Sequence, residues 1–422
     1  MLGFYFCASR IISPCRRMVT QRCFTFTEDF SKFIISLYND LNEMQEGEMA
    51  VTKKLIEKLG IEVSMLGFGC MRFPTSEGKI DEERAQKMLD RAYNEGINYF
   101  DTAYPYHNGE SEPFVGKALS KYPRDTYYLA TKLPCWEIKS LDDAKRIFEL
   151  QCSRIDGGYI DFYLLHALHK ERWETMRDMG VVEYLEKMKA CGRIKYLGFS
   201  FHDEYQVFEE IINYRDWDFC QIQYNYMDTE EQAGDKGYRL TEEKNVPLII
   251  MEPVKGGLLA NLPEEVVSSF KEVAPDKSTA SWALRWVASH PNVKVVLSGM
   301  SDEEQVVDNL STFTDFQKLS DQEENVVKDV AATLNSRVNN GCTACAYCMP
   351  CPAGVNIPGN FKIWNRFGIY GNREDAIRRW KEDLKDEERA GNCIKCGKCE
   401  TVCPQKLSIR EDLKKVGEVF CI

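Results

Sequence analysis

Short apolar runs alternate with amphipathic stretches from about residue 61 to residue 316. The runs are MLGFGC (65–70), INYFDTA (97–103), YYLATKL (127–133), DFYLLH (161–166), IKYLGFS (194–200), FCQIQYN (219–225), PLIIMEP (247–253) and VKVVLSG (293–299). Apolar runs of this length, with little alternation, fit parallel strands covered on both faces. Between them, DEERAQKMLDRAYNEG (81–96) and VVEYLEKMKACG (181–192) repeat apolar positions at intervals of three and four, which predicts helices with one apolar face. Gly96 and Gly192 stand where a helix C-terminus needs a residue tolerant of positive φ. Eight strand–helix units in series predict an α/β fold, a (β/α)8 TIM barrel. The rival is an open doubly wound sheet, which usually has fewer strands and often carries Gly-x-Gly-x-x-Gly after the first. Here Gly67-Phe68-Gly69-Cys70-Met71-Arg72 lacks the third glycine.

The pattern changes after residue 316. Residues 317–341 are polar, with a helical connector in VVKDVAATLNSRV, and the composition then becomes cysteine-rich. PGNFKIWNRFGIYG (358–371) and REDAIRRWKEDLKDEERAG (373–391) read as helices, so a small all-α domain is expected behind the barrel. The expected divisions are a barrel over 49–325, and a connector helix with the small domain over 326–422. Residues 1–48 hold basic residues and short apolar pieces but no continuous signal-peptide core, and are expected to be a disordered extension before a natural start at Met49. No apolar run is long enough for a bilayer, so no membrane partner and a cytoplasmic location are expected. The formal net charge of −12 repels phosphate backbones and argues against nucleic acid as a partner.

In a barrel of this kind, function sits on the loops that follow the strands. Asp101 ends the second run, with Tyr104 and Tyr106 behind it; Lys132 ends the third, His166 the fourth and Ser200 the fifth, and Gln221 lies in the sixth. Each alone has a bland explanation: a solvated lysine, a turn-capping aspartate, a rim tyrosine, a core histidine. Their coincidence at successive strand ends is harder to explain that way. Asp101-Thr102-Ala103-Tyr104-Pro105-Tyr106, Ala130-Thr131-Lys132-Leu133 and Asp161-Phe162-Tyr163-Leu164-Leu165-His166 resemble the signatures of the aldo-keto reductases, in order, spacing and placement.

That resemblance implies hydride transfer between a nicotinamide cofactor and a carbonyl carbon, with Tyr106 as proton donor. Lys132 would lower the tyrosine pKa, Asp101 would hold Lys132, and His166 would orient the carbonyl. It also implies cofactor contacts: Ser200 and Gln221 to the carboxamide, and Pro253, Lys255 and Gly256 in the pyrophosphate loop 253–257. Cys70, ending the first run, is expected to face the cofactor. Gly299, Gln305 and Asn309 lie in the segment where NADPH-preferring members carry basic residues for the 2′-phosphate. Here Asp302, Glu303 and Glu304 stand beside them, so NADPH and NADH both remain open. Phe201 replaces a common Asn, and Met251 stands where a ring-stacking aromatic is usual.

Eight of the 17 cysteines fall between Cys342 and Cys403. Cys342, Cys345, Cys348 and Cys351 are two residues apart, followed by Pro352; Cys393, Cys396, Cys399 and Cys403 repeat this with a last gap of three, followed by Pro404. Three thiolates so spaced can wrap one cubane and leave its fourth iron to a distant thiolate. The second run resembles the bacterial ferredoxin spacing, in whose two-cluster members the fourth cysteine of each run serves the other cluster. This implies two 4Fe–4S clusters, one on Cys342, Cys345, Cys348 and Cys403, the other on Cys393, Cys396, Cys399 and Cys351. Zinc is the main alternative, but it typically takes two pairs of ligands per ion; disulfides are a weaker one. The helices between the runs resemble the α-helical ferredoxin module.

The chain thus resembles the iron–sulfur-containing branch of the aldo-keto reductases over nearly everything after Met49. The implied function is nicotinamide-dependent carbonyl/alcohol redox chemistry coupled to two 4Fe–4S clusters. The expected partners are a small-molecule carbonyl or alcohol substrate and a ferredoxin or other electron carrier. The alternative is a non-catalytic cofactor-binding redox sensor or electron-delivery protein, against which the full set Asp101, Tyr106, Lys132 and His166 stands. Trp136 and Trp173, in the loops expected at 134–141 and 169–179, are expected to form an aromatic wall for the substrate. Cys135, Cys152, Cys191 and Cys220 are expected to pack as small apolar residues, and His290 to be structural.

Overall fold

The structure, a computed structural model, describes residues 50–155 and 158–420. The expected extension and the start at Met49 lie outside the described residues. The strands in chain order are β1 (Lys53–Ile56), β2 (Ile61–Ser64), β3 (Leu66–Gly69), β4 (Thr75–Ser76), β5 (Lys79–Ile80), β6 (Tyr99–Asp101), β7 (Tyr128–Leu133), β8 (Ile160–Leu168), β9 (Ile194–Phe201), β10 (Phe219–Gln223), β11 (Leu248–Met251) and β12 (Val293–Ser298). Eight of them, β3 and β6 to β12, close into a parallel barrel in chain order, with β12 pairing back onto β3. Each expected run coincides with one barrel strand; six strands fall within their runs, whereas β8 extends beyond its run at both ends and β9 by one residue.

Strand periodicity explains why polar residues share one mouth. Side chains two apart on a strand point to the same face. Tyr99, Ala130, Phe162, Phe219 and Ile249 fill the barrel interior, with Tyr99 and Phe219 both packing a ring 4.9 Å from Phe162. Continuing those rows by two or four residues gives Asp101, Lys132, His166, Gln221 and Met251. The β1–β2 hairpin, which the apolar pattern does not disclose, sends Ile56 and Val63 into the same cluster and closes the opposite end. The helix Glu82–Asn94 is capped by Asp81, and Gly96 follows it at φ 97°. Gly192 follows Val181–Ala190 at φ 78°, also as the sequence predicts.

The connector is the helix Asp321–Ser336, started by a reciprocal Ser320–Glu323 capping box. Its Val327, Val330 and Leu334 join Leu258, Leu259, Phe270 and Trp282 of the barrel and Tyr370 of the small domain in one apolar cluster. The small domain therefore packs on the loops that follow β10 and β11, at the mouth end of the barrel. It is all-α, with helices Ile357–Tyr370, Arg373–Glu382, Lys398–Val402 and Ile409–Phe420 around Phe361, Trp364, Trp380, Leu413 and Phe420. The helix expected over 373–391 stops at Glu382, because Arg389 folds back and donates to the carbonyls of Lys381 and Leu384. No helix among the described residues is long and apolar enough to cross a membrane.

Candidate active site and cysteine cavities

Lys132 is 1% exposed and organises the barrel mouth. Its ammonium donates to Asp101 Oδ1 at 2.5 Å, to the Thr102 carbonyl at 2.8 Å and to Tyr106 Oη at 3.4 Å. Strand register sets this up, since Asp101 pairs with Ala130, one strand over and two residues from Lys132. Burial works against the Lys132 charge, but Asp101 and Tyr106 outweigh it and hold its pKa above the ordinary lysine value. Burial pushes Asp101 up against the pull of Lys132. The two directions oppose each other, and the short hydrogen bond favours an ion pair. Tyr106 departs from the sequence expectation: burial outweighs Lys132, so its pKa lies above the ordinary tyrosine value, not below it. Tyr104 lies against the Arg154 guanidinium, 5.0 Å from its ring centroid, and leaves the lysine to Tyr106.

His166 stands edge-on to Tyr106, with ring centroids 6.2 Å apart. Burial, then the charge of Lys132, depresses its pKa well below the ordinary value, so the imidazole is neutral. Its Nδ1 is buried without a hydrogen-bond partner. Trp136 covers His166 at 5.0 Å and is 39% exposed, as a pocket wall would be. Trp173 is not part of that wall. It lies in the helix Lys170–Asp178, fully buried, with its indole N–H on Glu210, 2.9 Å away. Cys70 is fully buried and donates weakly to the Phe68 carbonyl; burial, then Asp101, raises its thiol well above the ordinary value. Cys135 and Cys220 are buried as expected, but Cys152 is half-buried and Cys191 is exposed at a helix end. His290 is structural: its Nδ1 lies 2.9 Å from the Trp286 carbonyl, in an aromatic nest with Tyr224 and Tyr238.

The rest of the mouth holds the residues expected to meet a nucleotide. Ser200 Oγ accepts from the Ala167 N–H at 2.7 Å, and the buried Gln221 Oε1 has no partner. After the half-buried Met251 and the buried Pro253, Lys255, Gly256 and Gly257 take successive positive φ values of 50°, 65° and 96°. A Cβ on Gly257 would meet nothing within 4 Å, so the backbone is open on that side. Lys255, expected to supply charge there, is paired with buried Asp228, which also accepts from Gln223 and Asn225. A cation the sequence reading passed over stands nearby. Arg72 is exposed, packs its stem against Gly299 and brings Nη2 to 3.8 Å from a Cβ position on Gly256. Its only sequence signal is a basic residue directly after the first strand. Gln305 is occupied with Asp302, which caps the helix Glu303–Phe313. Asn309 donates to Ser298 Oγ at 2.8 Å and ties that helix to β12.

The cysteines gather into two quartets drawn from both runs. Cys342, Cys345, Cys348 and Cys403 line one cavity, walled by Ile357, Phe361 and Leu407. Cys351, Cys393, Cys396 and Cys399 line the other, with Cys348 at the shared edge and Ile394 and Leu413 beside them. None of the described cysteines is in a disulfide. No group of three or more His, Cys, Asp or Glu side chains among the described residues converges tightly enough for one metal ion. Each quartet lines its own cavity, and Cys348 borders both.

The family model for the aldo/keto reductase family matches residues 65–332. The chain belongs to the aldo/keto reductase family. A 4Fe-4S dicluster domain model matches residues 341–407, so this aldo/keto reductase carries an iron–sulfur domain at its C-terminal end. The reductase is 28% identical over 302 residues to the uncharacterised oxidoreductase YqkF of Bacillus subtilis, covering 63% of this chain and 93% of that one. It is 22% identical to the NADH-specific methylglyoxal reductase of Escherichia coli, covering 69% and 99%. Among solved structures, the holo form of aldo-keto reductase AKR11C1 from Bacillus halodurans superposes with a TM-score of 0.57 at 28% identity, covering 66% of this chain and 96% of that one.

Proposed function

We propose that this protein is a nicotinamide-dependent oxidoreductase that interconverts a small carbonyl compound and its alcohol, with two 4Fe–4S clusters held in the small domain at the mouth end of the barrel. The observation that carries the reading is the buried set Asp101–Lys132–Tyr106, with the neutral His166, whose buried Nδ1 has no partner, edge-on to Tyr106. Tyr106 Oη gives its proton to the carbonyl oxygen, and the Lys132 ammonium steadies the phenolate left behind. Asp101 fixes Lys132, and His166 donates one N–H to the same carbonyl oxygen. A bound nicotinamide supplies the hydride. The Gln221 amide, the open backbone at Gly256 and Gly257, and the Arg72 guanidinium are the groups offered to it.

Cys342, Cys345, Cys348 and Cys403 would hold one cluster, and Cys351, Cys393, Cys396 and Cys399 the other; such clusters supply one-electron transfer. The acidic start of Glu303–Phe313 and the engaged Gln305 favour NADH, which has no 2′-phosphate, over NADPH. The NADH-specific relative fits that preference. A ferredoxin or comparable carrier is the proposed electron partner, and the cytoplasm the proposed location. The test is anaerobic purification with iron and sulfide analysis, then addition of NADH or NADPH. About eight irons per chain, with bleaching of the cluster absorption by NADH, is the expected result. About eight irons with no bleaching by either nucleotide would leave the clusters uncoupled from the barrel and end the coupled reading.

A further inference from the structure

One cation near His166 has no task in the chemistry above. Arg172 lies in the first turn of the helix Lys170–Asp178, just behind β8. Its Nη1 donates to the Ala167 carbonyl at 2.8 Å, and its guanidinium lies 5.2 Å from the Trp136 ring centroid. Ala167 follows His166 directly and sits at φ 51°, a left-handed conformation that an alanine seldom adopts without cause. Trp136 in turn covers His166. Arg172 is therefore clamped beside the histidine that orients the carbonyl, and its charge is felt at both His166 and Cys135.

Among the described residues, only one guanidinium N–H of Arg172 has a hydrogen-bond acceptor and no carboxylate pairs with it. The nearby acids are engaged: Glu171 with His169, and Asp203 with the backbone N–H groups of Lys170 and Glu204. In a chain with 66 acidic and 54 basic residues, a half-buried arginine without an acid calls for an explanation. The nucleotide does not provide one. Its proposed phosphate cradle follows β11 and β12, and β8 lies across the barrel from β12. Arg72 is the cation on that side.

We infer that the substrate carries a carboxylate next to its reacting carbonyl, as a 2-oxo acid does, and that Arg172 receives it. With Nη1 turned to Ala167, the Nε–Nη2 edge remains, and this edge matches a planar carboxylate in a two-pronged contact. The carbonyl oxygen then falls to His166 and Tyr106. Glu171 and Asp203 stand at the start of the helix that carries Arg172, and they would repel a dianionic phosphate more than a monoanionic carboxylate.

The inference rests on the reductase reading, and its test separates the two. The anaerobically purified full chain is titrated calorimetrically with oxamate, an unreactive 2-oxo acid analogue, and with its neutral methyl ester. Kinetics are measured with a 2-oxo acid and its methyl ester. Oxamate is expected to bind about 10- to 100-fold more tightly than the ester. Arg172→Met should erase most of that preference, mainly through KM, and Arg172→Lys should restore part of it. A wild-type chain that binds oxamate and ester equally, or prefers a phosphate-bearing carbonyl compound to both, overturns the inference whatever its turnover. A chain that shows the oxamate preference but reduces no carbonyl keeps the inference and ends the reductase reading. Should Arg172→Met fail to fold, the wild-type comparison decides alone.

Discussion

The barrel mouth and the cysteine module solve the same problem, holding reactive groups in place, by opposite means. At the mouth, the protein provides everything. Lys132 is buried, makes three hydrogen bonds and is seated by strand register. In the module, every cysteine but Cys399, which lies in the short helix Lys398–Val402, sits outside regular structure; Cys345 and Cys396 are exposed, and one small apolar core lies behind them. A core of that size stabilises a fold weakly without a staple. The barrel site is organised by packing; on the proposed reading, the module's cavities would be organised by the clusters they hold.

Cluster removal tests this contrast with the largest effect. After anaerobic chelation, the loops around 341–356 and 385–408 should become sensitive to limited proteolysis while the barrel keeps its far-UV signal and its own melting transition. An apo chain that stays protected throughout would break the comparison. Cys396→Ser is the finer version and should lower iron content by about half, since one quartet loses a ligand.

The complementary experiment is Tyr106→Phe. It should cut kcat by about 10²- to 10⁴-fold with iron content and melting unchanged. Retention of full activity would favour the non-catalytic, sensor-type reading. Lys132→Met tests the electrostatics. Removing one partner of a buried pair strands Asp101, and a loss of about 3–5 kcal/mol in denaturant unfolding is expected. The pH profile carries a sign. Burial already holds Tyr106 above the ordinary tyrosine pKa, and Lys132 is what restrains it. Carbonyl reduction needs the phenol, so the wild type should be flat through neutral pH and decline only in the alkaline range. Alcohol oxidation needs the phenolate and should rise with pH. Without Lys132 the tyrosine pKa climbs further, so both alkaline limbs should move to higher pH; movement to lower pH would refute the assignment.

The same contrast governs what could be read from the sequence. Eight barrel strands were legible because strands buried on both faces must be apolar, and polar residues at their ends therefore stood out. The two cysteine runs are legible from spacing, and the exchange of their fourth cysteines only from the resemblance to two-cluster ferredoxins. The β1–β2 hairpin was not, because KKLI and IEVS contribute only Ile56 and Val63 to the interior. Arg72 and Arg172 were not, because an arginine in a loop or first turn looks the same whether its partner is a carboxylate or an absent ligand. Trp173 is not a wall residue because Lys170–Asp178 is a helix, not a loop, and its indole is sealed under Tyr214 and Trp217; an ERWETMRD stretch with two apolar positions does not disclose that helix. The direction of the Tyr106 shift depends on burial competing with one charge, and burial is not written in a motif.

The smallest expected effect lies at the rim, where nucleotide choice should depend on one side chain. Gln305 accepts from the Ser301 N–H at 2.9 Å and donates to Asp302, which caps the helix behind it. Neither group is buried, so a substitution should leave folding alone. Gln305→Arg would place a guanidinium at the helix start, where Asp302, Glu303 and Glu304 now supply only negative charge. A charge-assisted contact to a phosphate is worth about 1.5–3 kcal/mol before the neighbouring acids subtract from it. The Kd for NADPH should therefore fall by about tenfold relative to that for NADH, measured by fluorescence titration of each nucleotide. A wild type that already prefers NADPH would show that the phosphate finds its cation elsewhere, with Arg72 the first to test. An unchanged ratio in the variant would show that this helix start lies outside the nucleotide's reach.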